Sequence, residues 1–278
     1  MTEISPMIQP YRAFIVQARA PTFSIRQPQS YQVGVSFPLP QPSTLTCALA
    51  YAAGLTGVGQ SDLQGDEYVK ELAESVLRLL VRATVKPVAP LTNSSVTLSR
   101  VRALEEDSSE KVVEAIRRGR KITDAMVREY YSGRLTIIYV FRSVSGIDKV
   151  YSWLYLLGRL GDTESLISVE RVEEATIEHL GSEEYVDTYT PVEWVESYGE
   201  GFFSLIRMCR EELCAKPVRS RDDYERCMSV YIVPMTEEWV KGSLILKGAK
   251  VRIRTKRGYT IWGIKGISGE ARIVLPGG

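Results

Sequence analysis

The sequence predicts a mixed α+β fold in a chain of 278 residues. Runs of β-branched and aromatic residues alternate along the chain with segments in which apolar residues recur every three or four positions. The first pattern is typical of strands and the second of amphipathic helices. Because the apolar content of 44% is ordinary for a globular protein, we expect one substantial core or two smaller ones.

Seven elements are predicted in the first part of the chain. Residues 11–20 carry β-branched and aromatic residues on both faces, as expected of a strand buried on two sides. A second strand is expected at residues 81–86, where the spacing of apolar residues changes from helical to alternating. A third is expected at residues 134–141, where β-prone residues form a dense run. The remaining elements are helices at residues 43–54, 66–80 and 148–160 and a strand at residues 167–172.

A proline-rich run precedes the first helix. Pro38, Pro40 and Pro42 fix their own φ angles and push the residues before them into extended conformations. Ser43 is the predicted N-cap, and the apolar positions of the helix repeat until Gly54. Such a helix start has free amides and a partial positive charge, so it can hold a phosphate. The same pattern is also typical of a well-capped helix without a ligand.

The order strand, helix, strand, strand, helix, strand is that of a ferredoxin-like fold. We therefore expect a ferredoxin-like domain over residues 1–180. Residues 91–133 separate its second and third strands and are too long for a plain hairpin, so they are predicted to form a projecting insertion. A helix within the insertion is expected to lead into a basic run. That run consists of Arg117, Arg118, Arg120 and Lys121.

Residues 181–278 are predicted to form a second part in which the sign of the charge changes. Acidic residues dominate as far as residue 240, and residues 182–239 are expected to be loop and helix. Their aromatic residues favour packing on a protein, because so many carboxylates repel phosphate. Residues 241–267 contain eight lysines and arginines and no acid. Short strands are expected there at residues 244–246, 250–255 and 259–264, with a turn at Gly258.

Cations follow one face of the second of these short strands. They alternate with apolar residues and lie about 6.6 Å apart along an extended chain. Such a row can follow a sugar-phosphate backbone, or it can protect an edge strand from aggregation. The cations of the row, with the arginine that follows it, are Lys250, Arg252, Arg254, Lys256 and Arg257.

Two segments together resemble Cas family five, the RAMP-type subunit of type I CRISPR surveillance complexes. Residues 38–50, PLPQPSTLTCALA, resemble the PLPxPSTLxxALA element of that family, and residues 160–165, LGDTES, resemble its LGxxES turn before the fourth strand. The order and separation of the segments also fit the family over residues 11–172. Cys47 stands where a glycine is usual, and the glycine-rich loop of the family is matched only by Gly258, Gly263 and Gly266.

This resemblance implies a non-catalytic subunit that binds the 5′ handle of a CRISPR RNA. It implies that the subunit caps one end of a type I effector complex, of subtype I-A, in antiviral defence. The insertion would then be the thumb of a ferredoxin-like RAMP domain. The implied protein partners are the backbone subunit, Cas family seven, and the large subunit, Cas family eight. Asn93 is the only asparagine, which fits a thermophilic, archaeal source.

RNA lying against the proline-rich helix would also meet the connection that leads to it. Arginine and amide side chains there can contact phosphate, and hydroxyls can contact the ribose 2′-hydroxyl. The residues expected to do so are Arg19, Arg26, Gln27, Ser43 and Thr44. An exposed Arg26 without a ligand is the alternative.

Enzyme chemistry has little support in the sequence. His179 is the only histidine, so no histidine-based metal centre and no histidine pair for RNA cleavage can be built. Residues 54–59 are glycine-rich but lack the lysine of a nucleoside triphosphate site. We therefore expect no catalytic residue, no metal and no cofactor. Two alternatives remain: a metal-independent endoribonuclease that matures precursor CRISPR RNA, and a protein-only scaffold.

The cysteines, Cys47, Cys209, Cys214 and Cys227, lack the paired spacing of a zinc site. We expect mostly buried thiols, with a disulfide between two of the last three as an alternative. The sequence shows no basic segment followed by an apolar run at its start, and no stretch of about 18 apolar residues. A cytoplasmic location without membrane contact is therefore expected.

Overall fold

The computed structural model describes residues 10–27, 33–59, 65–101, 113–114, 116–119, 123–144, 147–215 and 221–277. The fold is mixed α and β, with a mostly antiparallel sheet that curls into a half-barrel and few helices. The α-helices with both ends described are α1 (Pro42–Leu55), α2 (Gly65–Leu77), α3 (Val150–Tyr155) and α4 (Arg221–Arg226). Short 3-10 helices cover Ile147–Lys149, Val192–Trp194 and Glu211–Ala215.

The strands run through both halves of the chain. Those of the first half are β1 (Tyr11–Phe23), β2 (Val33–Gly34), β3 (Leu80–Pro87), β4 (Leu91–Val101), β5 (Thr123–Arg142) and β6 (Ser168–Gly181). Those of the second half are β7 (Glu183–Val186), β8 (Thr190–Pro191), β9 (Val195–Gly201), β10 (Ser204–Cys209), β11 (Met228–Val233), β12 (Met235–Val240), β13 (Ser243–Gly248), β14 (Val251–Thr255), β15 (Tyr259–Gly266) and β16 (Gly269–Pro276).

One ten-stranded sheet organises the molecule. Its main path has the order β12-β13-β4-β5-β1-β6-β15-β16, and β2 and β3 also pair with β5. The strands β10-β11-β8 and β7-β14-β9 form two smaller sheets. Because β13 pairs with β4 and β15 pairs with β6, the two predicted parts of the chain share the large sheet.

β1 lies at the centre of this sheet, as its two apolar faces predicted. It pairs antiparallel with β5 on one side and β6 on the other. Phe14 and Val16 are fully buried in the larger core, which also includes residues of α1, α2 and α3. Ile15 points to the opposite face and is buried against β15 and β16. No helix in the part of the chain that the structure describes is long and apolar enough to cross a membrane.

The predicted order of elements in the first half is confirmed. Apart from the additional strands β2 and β4, β1 is followed by two helices, β3, β5, α3 and β6, and in the sheet β5 and β1 lie between β3 and β6. The α+β class is therefore confirmed, while the ferredoxin-like assignment stays a prediction. The described part of the predicted insertion is mainly a ribbon of β4 and the first half of β5, paired from Thr92↔Ser132 to Val101↔Thr123.

Two expectations about the second half need correction. Residues 182–239 form mainly strands, β7 to β12, with short helical pieces, so the expected loop and helix is wrong. Acids of this part of the chain line exposed strand faces, where cations of neighbouring strands pair with them, as Arg254 does with Glu183. The three basic strands are present, and Gly258 has a φ of 91°. However, the two strands on either side of this turn do not pair with each other as a hairpin would. β14 pairs with β7 and β9, whereas β15 pairs with β6 and β16.

The start of α1 also differs from its prediction. Gln41 is the N-cap and Pro42 is the first helical residue, so Ser43 lies inside the first turn and is not the cap. Proline suits that position because its φ is already helical and its missing N–H would have no helical partner. The Gln41 side chain does not cap the helix. Its Oε1 instead accepts a hydrogen bond of 2.8 Å from the backbone N–H of Cys209.

Candidate nucleic-acid interface

A cleft of about 360 Å³ lies between the start of α1 and the turn that follows α3. The cleft lies between the two segments that carry the family resemblance. Residues 38–50 include the start of α1, and residues 160–165 belong to this turn. The residues that line the cleft are Ser43, Thr44, Cys47, Ala48, Tyr51, Arg159 and Gly161. Ser43 and Thr44, both predicted from the sequence, therefore lie in one site.

The turn is held on the connection that follows β1. The Ser165 hydroxyl accepts a hydrogen bond of 3.0 Å from the backbone N–H of Ser24 and donates one of 3.3 Å to its carbonyl. Gly161 has a φ of 108°, and a Cβ there would lie 2.9 Å from the Ser24 carbonyl oxygen. Only glycine fits this close approach in the left-handed region. Arg128 of β5 binds Asp162 and Glu164 and so fixes the acidic side of the turn.

The start of α1 presents partial positive charge to the cleft. The amides of Ser43 and Thr44 have no helical acceptor, because they precede the first complete turn. No acidic residue lies in that turn. Two buried tyrosines fix the segment: the Tyr139 hydroxyl donates to the Leu45 carbonyl at 3.0 Å, and the Tyr189 hydroxyl donates to the Pro40 carbonyl at 3.1 Å. The helix start is therefore rigid and favourable to an anion.

Arg159 and Tyr51 are the residues of the cleft that sequence analysis missed. Arg159 is exposed, and within the described residues its guanidinium makes no ion pair or hydrogen bond. Tyr51 is 60% exposed, so its ring is open to a partner. The sequence contains an indication of each residue. Arg159 lies between the two glycines of the turn, and Tyr51 is seven residues after Thr44, on the same helical face. Cation, hydroxyl and aromatic ring together suit phosphate, ribose and base.

The residues predicted on the β1 connection lie close to this turn. Arg26 is exposed and forms an isolated antiparallel bridge with Ser36. The Gln27 side-chain amide donates to the Ser36 carbonyl at 3.4 Å. Arg19 is exposed near the end of β1, opposite Arg134 of β5. These residues surround the connection that the turn contacts, but they do not line the cleft itself.

The basic run of the insertion is described only in part. Arg117 and Arg118 are exposed on a helical piece, and Arg118 forms an ion pair with Glu114 one turn earlier. Arg120 and Lys121 lie outside the described residues. Their role in RNA contact stays a prediction.

The cations of β14 alternate with buried residues as predicted, but acids of neighbouring strands neutralise two of them. Arg254 donates to one carboxylate oxygen of Glu183 from Nε at 3.0 Å and from Nη2 at 2.6 Å. Arg252 lies 3.2 Å from Glu183 and 3.5 Å from Glu200. The segment of sequence around the row contains no acid, but β7 and β9 supply compensating acids across the sheet.

The other cations of the row are not in the strand. Lys250 precedes β14, and Lys256 and Arg257 belong to the turn after it. All three are exposed, and none of them has an ion pair among the described residues. They remain candidates for phosphate contact at the ends of β14.

Among the described residues, the cysteines and the histidine do not belong to any group of side chains that could hold a metal ion. Cys47 is disulfide-bonded, whereas Cys209 and Cys227 are free thiols, so the alternative of a disulfide within the last three cysteines is wrong. α1, which carries Cys47, packs against Glu211–Ala215, a contact that the spacing of the cysteines in the sequence does not reveal. Burial raises the pKa of Cys209 to about 11, which keeps it a thiol. His179 is exposed and packs edge-on against Trp262, 5.1 Å between ring centres.

Comparison with curated proteins defines the family. The chain is 34% identical over 166 residues to the CRISPR-associated protein Cas5 of Methanocaldococcus jannaschii, across 58% of this chain and 63% of that relative. It is 33% identical over 169 residues to the CRISPR-associated protein Cas5 of Thermoproteus tenax, across 60% of this chain and 69% of that relative. No protein-family model matches the chain. The chain belongs to the Cas5 family of CRISPR-associated proteins, so the resemblance seen in the sequence is confirmed.

Solved structures agree on the fold. A crystal structure of a CRISPR protein from Archaeoglobus fulgidus aligns with 96% of this chain and 100% of its own, with a TM-score of 0.53 and 13% identity. At that identity the likeness concerns the fold alone. A chain of a CRISPR RNA-guided surveillance complex covers 88% of this chain with a TM-score of 0.40, which is too distant to carry an argument.

Proposed function

We propose that this protein is a non-catalytic, RNA-binding subunit of a type I CRISPR effector complex, of subtype I-A. In this proposal it binds the 5′ handle of the CRISPR RNA and caps one end of the complex in the cytoplasm. Its protein partners are then the backbone subunit of Cas family seven and the large subunit of Cas family eight. Membership of the Cas5 family supports a CRISPR-associated role, and the RAMP-type, ferredoxin-like assignment belongs to the same proposal.

The cleft beside α1 is the observation that carries the RNA-binding part of the proposal. It combines two free amides, the hydroxyls of Ser43 and Thr44, the exposed ring of Tyr51 and the unpaired guanidinium of Arg159. Amides and guanidinium suit phosphate, hydroxyls suit a ribose, and the ring suits a base. Buried tyrosines hold the backbone at the start of α1, and Ser165 holds the turn on Ser24, so RNA would meet a preformed backbone on both sides of the cleft.

The absence of catalysis in the proposal follows from the nature of these groups. The cleft lining includes no histidine, carboxylate or lysine, the side chains that most often act as general acid or base in RNA cleavage. His179 lies on β6 against Trp262 and does not line the cleft. The protein would therefore hold RNA without cutting it.

Filter binding to a handle-bearing RNA tests the proposal. Arg159→Ala should weaken binding about tenfold, or ~1.4 kcal/mol, because one charge-assisted phosphate contact is lost. The matched control is Arg78→Ala, which removes another exposed arginine whose Nε donates only to a backbone carbonyl of its own helix. Equal losses in both variants, or equal binding of a DNA with the same sequence, would contradict specific contact at the cleft.

Incubation with a repeat-containing transcript in the absence of metal tests the non-catalytic part. The transcript should stay intact while it binds. Cleavage at one position in the repeat would favour the endoribonuclease alternative. A chain that binds no handle RNA at all would favour the protein-only scaffold.

A further inference from the structure

A second groove, of about 490 Å³, lies between β10 and the segment that follows β2. Phe37 and Pro38 line it on the segment after β2, and Leu205 and Ile206 line it on β10. Met228 and Met235 also line it. Apolar and polar side chains thus share the lining of the groove about equally, and its methionines can adapt to different side chains. It shares no lining residue with the cleft that contains Arg159.

β10 is an edge strand beside this groove. It pairs with β11 from Ser204↔Val233 to Cys209↔Met228, and it ends the order of its three-stranded sheet. In an antiparallel pair, alternate residues direct their N–H and C=O groups away from the partner strand. The N–H of Cys209 points outward, because it donates to Gln41. By the same alternation Leu205 and Arg207 point their backbone groups outward, and in the described part of the chain these groups have no partner.

The groove is negatively charged along its open side. Glu129 and Glu237 line it, and neither forms an ion pair among the residues that the structure describes. Arg207, the arginine of the groove, pairs with Glu225 at 2.7 Å and adds no free positive charge. The Glu129 carboxylate accepts a hydrogen bond of 3.1 Å from the backbone N–H of Ser36. The pKa of Tyr131 is raised to about 12, chiefly by burial and also by the charges of Glu129 and Glu237, against a hydrogen bond with Asn93 that lowers it. The lining therefore repels phosphate and attracts cations.

We propose that an extended, lysine- or arginine-bearing segment of a partner protein adds to the outer edge of β10 as a further strand. Its backbone would pair with Leu205 and Arg207, its apolar side chains would enter the groove beside Met228 and Met235, and its cations would face Glu129 and Glu237. Strand addition of this kind obtains affinity from backbone hydrogen bonds and specificity from alternate side chains. Leu205, which is 52% exposed, would be covered by the added strand.

This inference goes beyond the proposed function, because it assigns a protein-binding edge where RNA is repelled. RNA and a second copy of this chain are the competing occupants. The charge of the groove disfavours RNA, and a second copy would have to offer a basic, extended segment to an acidic edge. The experiment below separates all three.

Fluorescent peptides serve as the probe. One peptide carries four Lys-Val repeats, and the other carries four Glu-Val repeats of the same length. Anisotropy titration with the full chain should show the Lys-Val peptide binding at least about tenfold tighter. Hydrogen exchange of the Leu205 and Arg207 amides should slow at least about tenfold when the Lys-Val peptide is bound.

Two variants locate the binding. Glu237→Lys should weaken the Lys-Val peptide about tenfold or more, whereas Glu67→Lys, which makes the same charge change on exposed α2, should change it less than about twofold. Leu205→Pro removes one outward N–H and leaves the pairing with β11 in place, so it should abolish binding. Because this substitution can also weaken β10 itself, the exchange measurement provides an independent criterion.

Four results would overturn the inference. Equal affinity for the two peptides would remove the charge complementarity, and unchanged exchange at Leu205 and Arg207 would place the peptide elsewhere. Competition by handle RNA for the Lys-Val site would assign the groove to RNA instead. Slow exchange at both amides without peptide, together with concentration-dependent dimerisation, would assign it to a second copy. RNA binding by Glu237→Lys should stay unchanged, so failure here is distinguishable from failure of the proposed RNA function.

Discussion

The cleft beside α1 and the exposed face of β14 both present arginines, but their surroundings differ. Arg159 in the cleft has no acidic partner in the described structure, because the acids of its own turn bind Arg128 instead. On β14, Arg252 and Arg254 share Glu183. A phosphate reaching β14 would have to displace a carboxylate, whereas a phosphate reaching the cleft would not.

This difference shows that a row of cations along a strand is a poor guide to an anion site. The partners of a strand residue come from neighbouring strands, which can be far away in the sequence. Glu183 lies about 70 residues before Arg254 but sits directly opposite it in β7. Exposed ion pairs of this kind contribute little to stability, so Glu183 limits access to β14 without closing it.

The largest expected effect comes from breaking the turn that presents Arg159. In Gly161→Ala the new methyl group would lie 2.8 Å from the Ile25 side chain and 2.9 Å from the Ser24 carbonyl oxygen, at a φ of 108°. We expect a loss of about 3 kcal/mol in the free energy of unfolding, measured by denaturant titration. Gly181→Ala is the control, since its φ is 104° but nothing lies within 4 Å, and it should lose only about 1 kcal/mol. Equal losses would contradict the close approach.

Ser165→Ala should loosen the same turn by removing its anchor. The buried N–H of Ser24 would lose its acceptor, so we expect a loss of about 2 kcal/mol in the free energy of unfolding. Ser152→Ala removes an exposed hydroxyl that bonds to the Lys149 carbonyl, and it should lose less than about 0.5 kcal/mol. Handle RNA should bind Ser165→Ala more weakly than Ser152→Ala under conditions where both are folded. Equal RNA binding by the two variants would contradict a role of Ser165 in holding the turn for RNA.

These expectations show what the sequence could and could not reveal. Apolar periodicity located β1, β3, β5 and β6 because their burial follows from local pattern. Of the strands of the acidic half, β7 to β11 were missed because their side chains pack in two small sheets, where β11 and β14 are each flanked by partners distant in sequence. Local chemistry also misplaced the start of α1 by favouring Ser43 as N-cap over a proline at the first helical position.

The candidate site was predicted in part. Ser43 and Thr44 line the cleft as expected from the helix start, but Arg159 was overlooked because its turn was considered only for its glycines and its LGDTES pattern. The row on β14 was overestimated because only acids within the same segment were counted. The number of cations on a strand predicts an anion site only when the residues opposite them on neighbouring strands are also known.

Glu183→Gln should turn the β14 face into a better anion surface. Removing the charge shared by Arg252 and Arg254 should strengthen binding of handle RNA by about threefold, a small effect because exposed pairs are weak. Glu178→Gln frees Lys265 on β15 instead and is the matched control, with no expected gain. Filter binding at moderate salt measures both variants. No gain in Glu183→Gln would mean that β14 lies away from the RNA even when its cations are available.

The smallest effect is expected from pH, because the ion pair of Glu183 and Arg254 should not change between pH 8 and pH 5. The hydrogen bond and charge of Arg254 hold the pKa of Glu183 below its ordinary value of 4.5. The carboxylate therefore stays ionised throughout this range, and its pairing is lost only as the pH falls below that ordinary value. The ratio of RNA affinities between the unaltered chain and Arg254→Ala should stay constant at pH 8, 6.5 and 5. A ratio that grows toward pH 5 would show that Glu183 is released earlier.

The salt dependence of RNA binding tests the central claim most directly. The slope of the logarithm of affinity against the logarithm of salt concentration should flatten by about 0.7 in Arg159→Ala, because one phosphate contact to single-stranded RNA is lost. In Arg254→Ala the slope should stay unchanged, because that arginine is already paired with Glu183. A flatter slope in Arg254→Ala with an unchanged slope in Arg159→Ala would contradict the account.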